Sequence, residues 1–202
     1  METIRSMPAN KKHAEEIARL IYATEDDPAE VFGAGTKKEI LDRIVKLVER
    51  KDTRYSYRFA TVAMVDNNVA GVIIALPYSL IDDLEKNTSK ALLKSLSFID
   101  KLKFIWSDIK CLGIKEANDD EYYISNLSTS SEFRGRGIGT MLIKEAEKNA
   151  RIYKLPKCSL LVSREREGAF RLYNKLEYRV CSEVEYPSGS YFRMTKNIAS
   201  VQ

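Results

Sequence analysis

Residues 130–150 read SSEFRGRGIGTMLIKEAEKNA. Arg134, Gly135, Arg136, Gly137, Ile138 and Gly139 stand between a strand-like run, Tyr122 to Thr129, and a strongly amphipathic stretch. In that stretch Ile138, Met141, Leu142, Ala146 and Ala150 recur at helical spacing. Glycines at such a junction let successive backbone N–H groups turn outward and approach an anion with no Cβ in the way. The free donors of the helix's first turn and its dipole then favour phosphate, and the two arginines add charge beside them. A pyrophosphate suits this segment. Glycines spaced evenly by two do not meet the dinucleotide pattern G-x-G-x-x-G, and G-x-x-x-x-G-K-[ST] is absent. A tight strand-to-helix turn with solvated arginines is the plainer alternative.

Downstream, Ser159 to Ser163 reads as a short strand and Gly168 to Leu176 as a helix with Ala169, Leu172, Tyr173 and Leu176 on one face. Two closing strands, Tyr178 to Val184 and Tyr191 to Thr195, are joined by the turn residues Pro187, Ser188 and Gly189. Upstream, Tyr57 to Val65 and Val69 to Leu76 flank Asp66-Asn67-Asn68 and predict a hairpin. Thr36 and Glu39 form a capping box ahead of the stripe Ile40, Leu41, Ile44, Leu47 and Val48. Thr3 to Met7 suits a first strand, and Asn10 caps a helix bearing Ile17, Leu20 and Ile21. Between these two helices, EDDPAEVFGAG reads as a loop. Ser79 to about Ile109 is helical, as one long helix or two shorter ones. Strands alternating with helices imply an α/β sheet covered on both faces.

A chain of 202 residues supports one sizeable core, so a single domain over 1–202 is expected. Its 44% hydrophobic and 31% charged residues place it among globular chains. The net charge of +4 is mild and no basic stripe is present, which argues against a nucleic-acid partner. Cys111, Cys158 and Cys181 lie far apart, and the single His13 completes no Cys/His set, so no metal is expected. Reduced thiols, no apolar leader and no long apolar run point to a cytoplasmic protein without a membrane partner.

The run R-G-R-G-I-G resembles the signature [RQ]-x-x-G-x-[GA] of the GNAT N-acetyltransferases, matched at Arg134, Gly137 and Gly139. Some thirty residues on, A-F-R-L-Y-N-K-L-E-Y is similar to that family's second motif, A-x-x-L-Y-x-x-L-G-F, through Ala169, Leu172, Tyr173, Leu176 and Tyr178. The resemblance covers Tyr122 to Tyr178 in detail. It implies a GNAT-like central mixed, splayed sheet flanked by helices, with acetyl-CoA held between strands four and five. Residues 79–115 form a helical insert between strands three and four, which either shapes the acceptor site or covers a sheet edge.

Carried onto this chain, the resemblance places the pantetheine arm against Leu127, Ser128 and Thr129. The pyrophosphate then lies on Arg134, Gly135, Arg136, Gly137, Ile138, Gly139 and Thr140. Tyr173 matches the tyrosine that serves as general acid, and a phenol with a reference pKa near ~10 stays protonated at neutral pH; packing alone, on the stripe with Ala169, Leu172 and Leu176, is the alternative. Glu121, at even spacing from Tyr123, Ser125, Leu127 and Thr129, is expected to share their face and is the candidate base; a solvated carboxylate at a strand end is the plainer reading, with a water chain then doing the work. Asp26, Asp27 and Glu30 either attract a cationic amine or form a solvated acidic loop. Three positions depart from the pattern: Glu177 replaces a glycine, Arg166 an asparagine, and Leu161 the glutamate of the ribosomal-protein acetyltransferases. The implied activity is transfer of an acetyl group to a primary amine of a small molecule, peptide or protein, by a monomer or homodimer. A non-catalytic acyl-CoA-binding sensor or regulatory module is the alternative.

Overall fold

The computed structural model describes residues 3–110, 114–187 and 189–198. Among them, seven strands form one open mixed sheet in the order β1-β2-β3-β4-β5-β7-β6. These are β1 (Ile4–Pro8), β2 (Ala60–Val65), β3 (Asn68–Pro77), β4 (Glu121–Thr129), β5 (Lys157–Ser163), β6 (Arg179–Tyr186) and β7 (Gly189–Asn197). Only β4 and β5 run parallel; every other neighbouring pair is antiparallel. Cys158 and Cys181 are free thiols, and Cys111 lies outside the described residues.

Helices cover both faces, which is why β3 carries an almost unbroken apolar run rather than an alternating one. On one face Val72, Ile74 and Leu76 pack against α1 (Ala14–Tyr22) and α3 (Lys37–Glu49). On the other, Ile73 and Ala75 meet α6 (Ile138–Ile152) through Ile138, Leu142 and Ile143. The Thr36 capping box forms as its spacing predicts, with the Glu39 N–H on Thr36 Oγ1 at 3.3 Å and the Thr36 N–H on Glu39 Oε2 at 2.7 Å.

Two local expectations change. The stretch read as a loop contains a short helix, α2 (Pro28–Phe32), because Asp27 accepts hydrogen bonds from the N–H groups of Ala29 and Glu30 and Pro28 sits where a helix needs no donor. The strand expected from Tyr57 starts only at Ala60. Ser56 Oγ accepts from the Arg58 N–H and holds Tyr57–Phe59 in a 3₁₀ turn.

The insert is two helices, α4 (Ile81–Ser95) and α5 (Phe98–Lys110), broken at Leu96, which is extended, and Ser97, whose hydroxyl accepts from the Asp100 N–H. α4 buries Ile81, Leu84 and Leu92, whereas α5 buries Phe104 and leaves Phe98, Ile99, Leu102, Ile105 and Trp106 exposed.

Candidate active site

β4 and β5 pair only from Glu121 with Lys157 to Ile124 with Leu160, and then part. Asn126 to Thr129 remain paired with β3, so the edge of β4 that faces β5 lacks a strand partner along the opening. A cleft of about 550 Å³ lies there. Ser125, Asn126 and Leu127 of β4, Leu161 and Val162 of β5, and Tyr173 of α7 (Glu167–Lys175) all line it.

The opening coincides with a break in β4. Its register against β3 runs from Ile124 opposite Ala75 to Asn126 opposite Ile74, leaving Ser125 as an extra, bulged residue. A bulge reverses which side chains face which way. Tyr123 packs with α1 and α3, whereas Leu127, four residues on, packs with the α6 layer. The expectation that Glu121, Tyr123, Ser125, Leu127 and Thr129 share one face is therefore corrected at Ser125.

The glycine turn follows β4 in the chain, and none of Arg134 to Thr140 is among the residues lining the cleft. Gly135 and Gly137 both take left-handed backbone angles, φ +77° and +79°, and a Cβ built on either meets nothing within 4 Å. They are exposed, as are Arg134 and Arg136, whose guanidinium lies 5.2 Å from the centre of the Phe133 ring. Gly137 is the N-cap of α6 and has no side chain to bond the first-turn N–H groups. Ile138 buries its side chain in the core and offers the turn only its backbone, while Gly139 and Thr140 are half-buried. Leu127 lines the cleft; Ser128 and Thr129 lie opposite Val72 and Gly71 of β3.

Two carboxylates differ sharply. Glu121 is 1% exposed, ion-paired with Arg193 and bonded by the N–H and side-chain amide of Asn118 at 3.1 and 3.0 Å. Burial works to raise its pKa, but the hydrogen bonds from Arg193 and Asn118 outweigh it and hold the carboxyl below the usual range. It is not among the residues lining the cleft. Glu25, which no local pattern singles out, does line it. Burial pushes this carboxyl up, against a hydrogen bond from Thr24 and the charges of Arg54 and Arg166, with Asp26 adding to the rise. Asn126 Nδ2 lies 3.4 Å from Glu25 Oε1, a contact between residues a hundred positions apart.

Tyr173 is 7% exposed, and burial pushes its phenol up to about 12, a rise that Arg166 partly opposes. Arg166 donates to the Thr24 carbonyl and to Asp26 Oδ1, each at 2.6 Å, and so ties the start of α7 to the loop that carries Glu25. Asp26, Asp27 and Glu30 line the same cleft, as do Ile81, Asp82, Glu85 and Leu92 of α4 and Phe104 of α5. The insert is thus one wall of the cleft.

The model of the acetyltransferase (GNAT) family matches residues 20–178. The chain belongs to the GNAT acetyltransferase family. An N-acetyltransferase from Staphylococcus aureus Mu50 is similar to this GNAT chain at 30% identity and TM-score 0.76, over 96% of this chain and 100% of that one. A second acetyltransferase superposes with TM-score 0.75 at 22% identity, over 98% and 100% of the two chains. The PaiA N-acetyltransferase from Thermoplasma acidophilum, in complex with coenzyme A, shares the fold at TM-score 0.53 and 18% identity, over 96% and 99%. No curated protein matches the chain significantly. Within this GNAT fold the family's glycine position is Glu177, and it still takes a left-handed angle, φ +70°. The N–H of Glu177 bonds the Asn174 carbonyl and that of Tyr178 the Tyr173 carbonyl, at 3.1 and 3.0 Å, closing α7 in a Schellman turn.

Proposed function

We propose that this GNAT protein is an N-acetyltransferase that moves the acetyl group of acetyl-CoA to a primary amine of a small molecule, peptide or protein. The observation that carries the reading is the parting of β4 and β5, with Tyr173 and Glu25 on the cleft it opens and the glycine turn following β4 in the chain. The residues present suit an acyl-CoA. Gly135 and Gly137 leave open space where a Cβ would stand, the first-turn N–H groups of α6 are uncapped, and Arg134 and Arg136 flank them. In this reading Arg134 to Thr140 hold the pyrophosphate, and Leu127 to Thr129 offer backbone groups to the pantetheine arm.

Acetyl-CoA supplies an activated thioester carbonyl. Glu25 takes a proton from the incoming ammonium, so that the neutral amine forms the new C–N bond as the C–S bond breaks. Tyr173, held protonated by its burial, gives a proton to the departing thiolate sulfur. Glu25 replaces Glu121 in the role of base: a base needs access to the acceptor and a pKa moved toward the working pH, and Glu121 is buried against Arg193 with its pKa lowered. The test is release of free thiol from acetyl-CoA across a panel of primary amines. Turnover with at least one amine is expected, and Tyr173→Phe should lower kcat about a hundredfold while changing acetyl-CoA affinity little. Equal kcat in Tyr173→Phe would reduce that residue to packing.

A further inference from the structure

Three hydrogen bonds run in one direction from a buried guanidinium to the Glu25 carboxylate. Arg54 Nε donates to Ser125 Oγ at 2.9 Å, Ser125 Oγ donates to Asn126 Oδ1 at 3.0 Å, and Asn126 Nδ2 donates to Glu25 Oε1 at 3.4 Å. From this chain we infer that Arg54 is a positioning residue for Glu25, acting through Ser125 and Asn126. The inference rests on the reading of Glu25 as the base for its importance to the reaction, though not for its geometry.

The arrangement depends on the β4 bulge. On a regular strand, consecutive side chains point to opposite faces, and Ser125 and Asn126 would turn away from each other. With Ser125 bulged, the two side chains meet at 3.0 Å.

Arg54 is in turn held from several sides. Its side chain is 14% exposed, and Nη2 donates to Glu116 Oε2 at 2.8 Å. Nη1 pairs with Glu85 of α4, the Arg54 N–H donates to Thr88 Oγ1 at 3.0 Å, and the guanidinium lies 5.6 Å from the centre of the Tyr123 ring. Glu116 accepts from the Tyr186 hydroxyl at 2.9 Å. With the fork fixed, Nε has one direction left, toward Ser125. The insert, through Glu85 and Thr88, therefore helps to set where the Glu25 carboxylate is held.

The chemistry of the relay fixes its sign. While Ser125 donates to Asn126 Oδ1, the amide must present its N–H side to Glu25, and a donor favours the carboxylate. Without the Ser125 hydroxyl the amide is free to turn its carbonyl toward Glu25, which disfavours the charged form. The other groups facing Glu25 are the Thr24 hydroxyl and Asp26 beside it, Arg54 and Tyr55 from the segment after α3, and Arg166 at the start of α7. Asp26, Tyr55 and Arg166 make no contact with Ser125; Arg54 loses its Nε acceptor in a Ser125→Ala variant, and Thr24 Oγ1, which Asn126 Nδ2 also reaches at 3.3 Å, loses that donor when the amide turns.

The experiment is a carbon-13 NMR titration of the full chain labelled in glutamate carboxyls, with Glu25 assigned through Glu25→Gln. Ser125→Ala should raise the Glu25 midpoint by about half a pH unit or more, roughly a threefold change in its acid constant. Ser125→Thr, which keeps the hydroxyl, should return it. Arg54→Lys keeps a positive charge but loses the fork, and should move the midpoint in the same direction as Ser125→Ala. A midpoint unmoved in Ser125→Ala or Arg54→Lys, or displaced as far in Ser125→Thr as in Ser125→Ala, would overturn the inference. A clamp that merely ties the insert to the sheet would leave the titration where it was. Because the titration needs neither acetyl-CoA nor an acceptor, its failure is separate from failure of the transfer reaction.

Discussion

Glu25 and Glu121 are carboxylates whose surroundings push them in opposite directions, and the consequences for stability and for activity separate. Glu25 has its pKa raised in the folded chain, so its contribution to stability is greatest below the unfolded value and is lost as pH rises through the folded one. Glu25→Gln mimics the neutral form. It should raise Tm at neutral pH while lowering kcat about a hundredfold or more, a pairing that scanning calorimetry and steady-state kinetics would read together. A variant with lower Tm and unchanged kcat would make Glu25 a structural residue. Glu177 gives a second test at a single position. A left-handed angle costs a non-glycine residue roughly 1–2 kcal/mol, and glycine at the same place gives part of that back through its freer unfolded chain. Glu177→Gly should therefore stabilise by up to about 1 kcal/mol in urea unfolding. A destabilised variant would mean that the ion pair with Lys196 at 3.9 Å matters more than the backbone, which its exposure argues against. Tyr173 was legible because it sits inside a recognisable motif. Glu25 was not, because its partners Asn126 and Arg166 are distant in sequence and only the folded chain brings them near.

Among the elements, β4 joins two tasks: its first residues fasten the sheet and its later ones open it. Glu121, at the fastening end, pairs with Arg193 of β7, the two side chains being 1% and 13% exposed. Removing one partner of a buried pair leaves the other uncompensated, so Glu121→Gln should cost about 2–4 kcal/mol in chemical unfolding. Because the Glu121 pKa is lowered, its stabilisation is present above the unfolded carboxylate value and is lost as pH falls through the folded one. The variant should accordingly show a shallower loss of stability on acidification. A stable Glu121→Gln protein with abolished turnover would restore Glu121 as the base. Element identity was readable in advance wherever periodicity was strong. The helix after the glycine turn, the capped α3 and the β2–β3 hairpin all follow from side-chain spacing and turn chemistry. The bulge at Ser125 was not readable, since no glycine or proline marks it and its cause is the pairing with β3, a long-range contact.

For the molecule as a whole, the cleft draws its walls from widely separated parts of the chain. The loop after α1, the insert helices, the two parting strands and α7 each supply residues, so no single segment announces it. The two motifs pointed to the family because each is a compact local pattern, one in the glycine turn that starts α6 and one in α7, the helices that follow the parallel strands β4 and β5. The wall built from the insert and the acidic loop carries no such pattern. The central claim is that the glycine turn and the opening between β4 and β5 form one acyl-CoA site, and calorimetric titration of the purified protein with acetyl-CoA addresses it directly. Saturable binding is expected, weakened about tenfold or more in Arg136→Glu, which places a negative charge beside the uncapped end of α6. No binding at millimolar acetyl-CoA, or an unchanged affinity in Arg136→Glu, would contradict it.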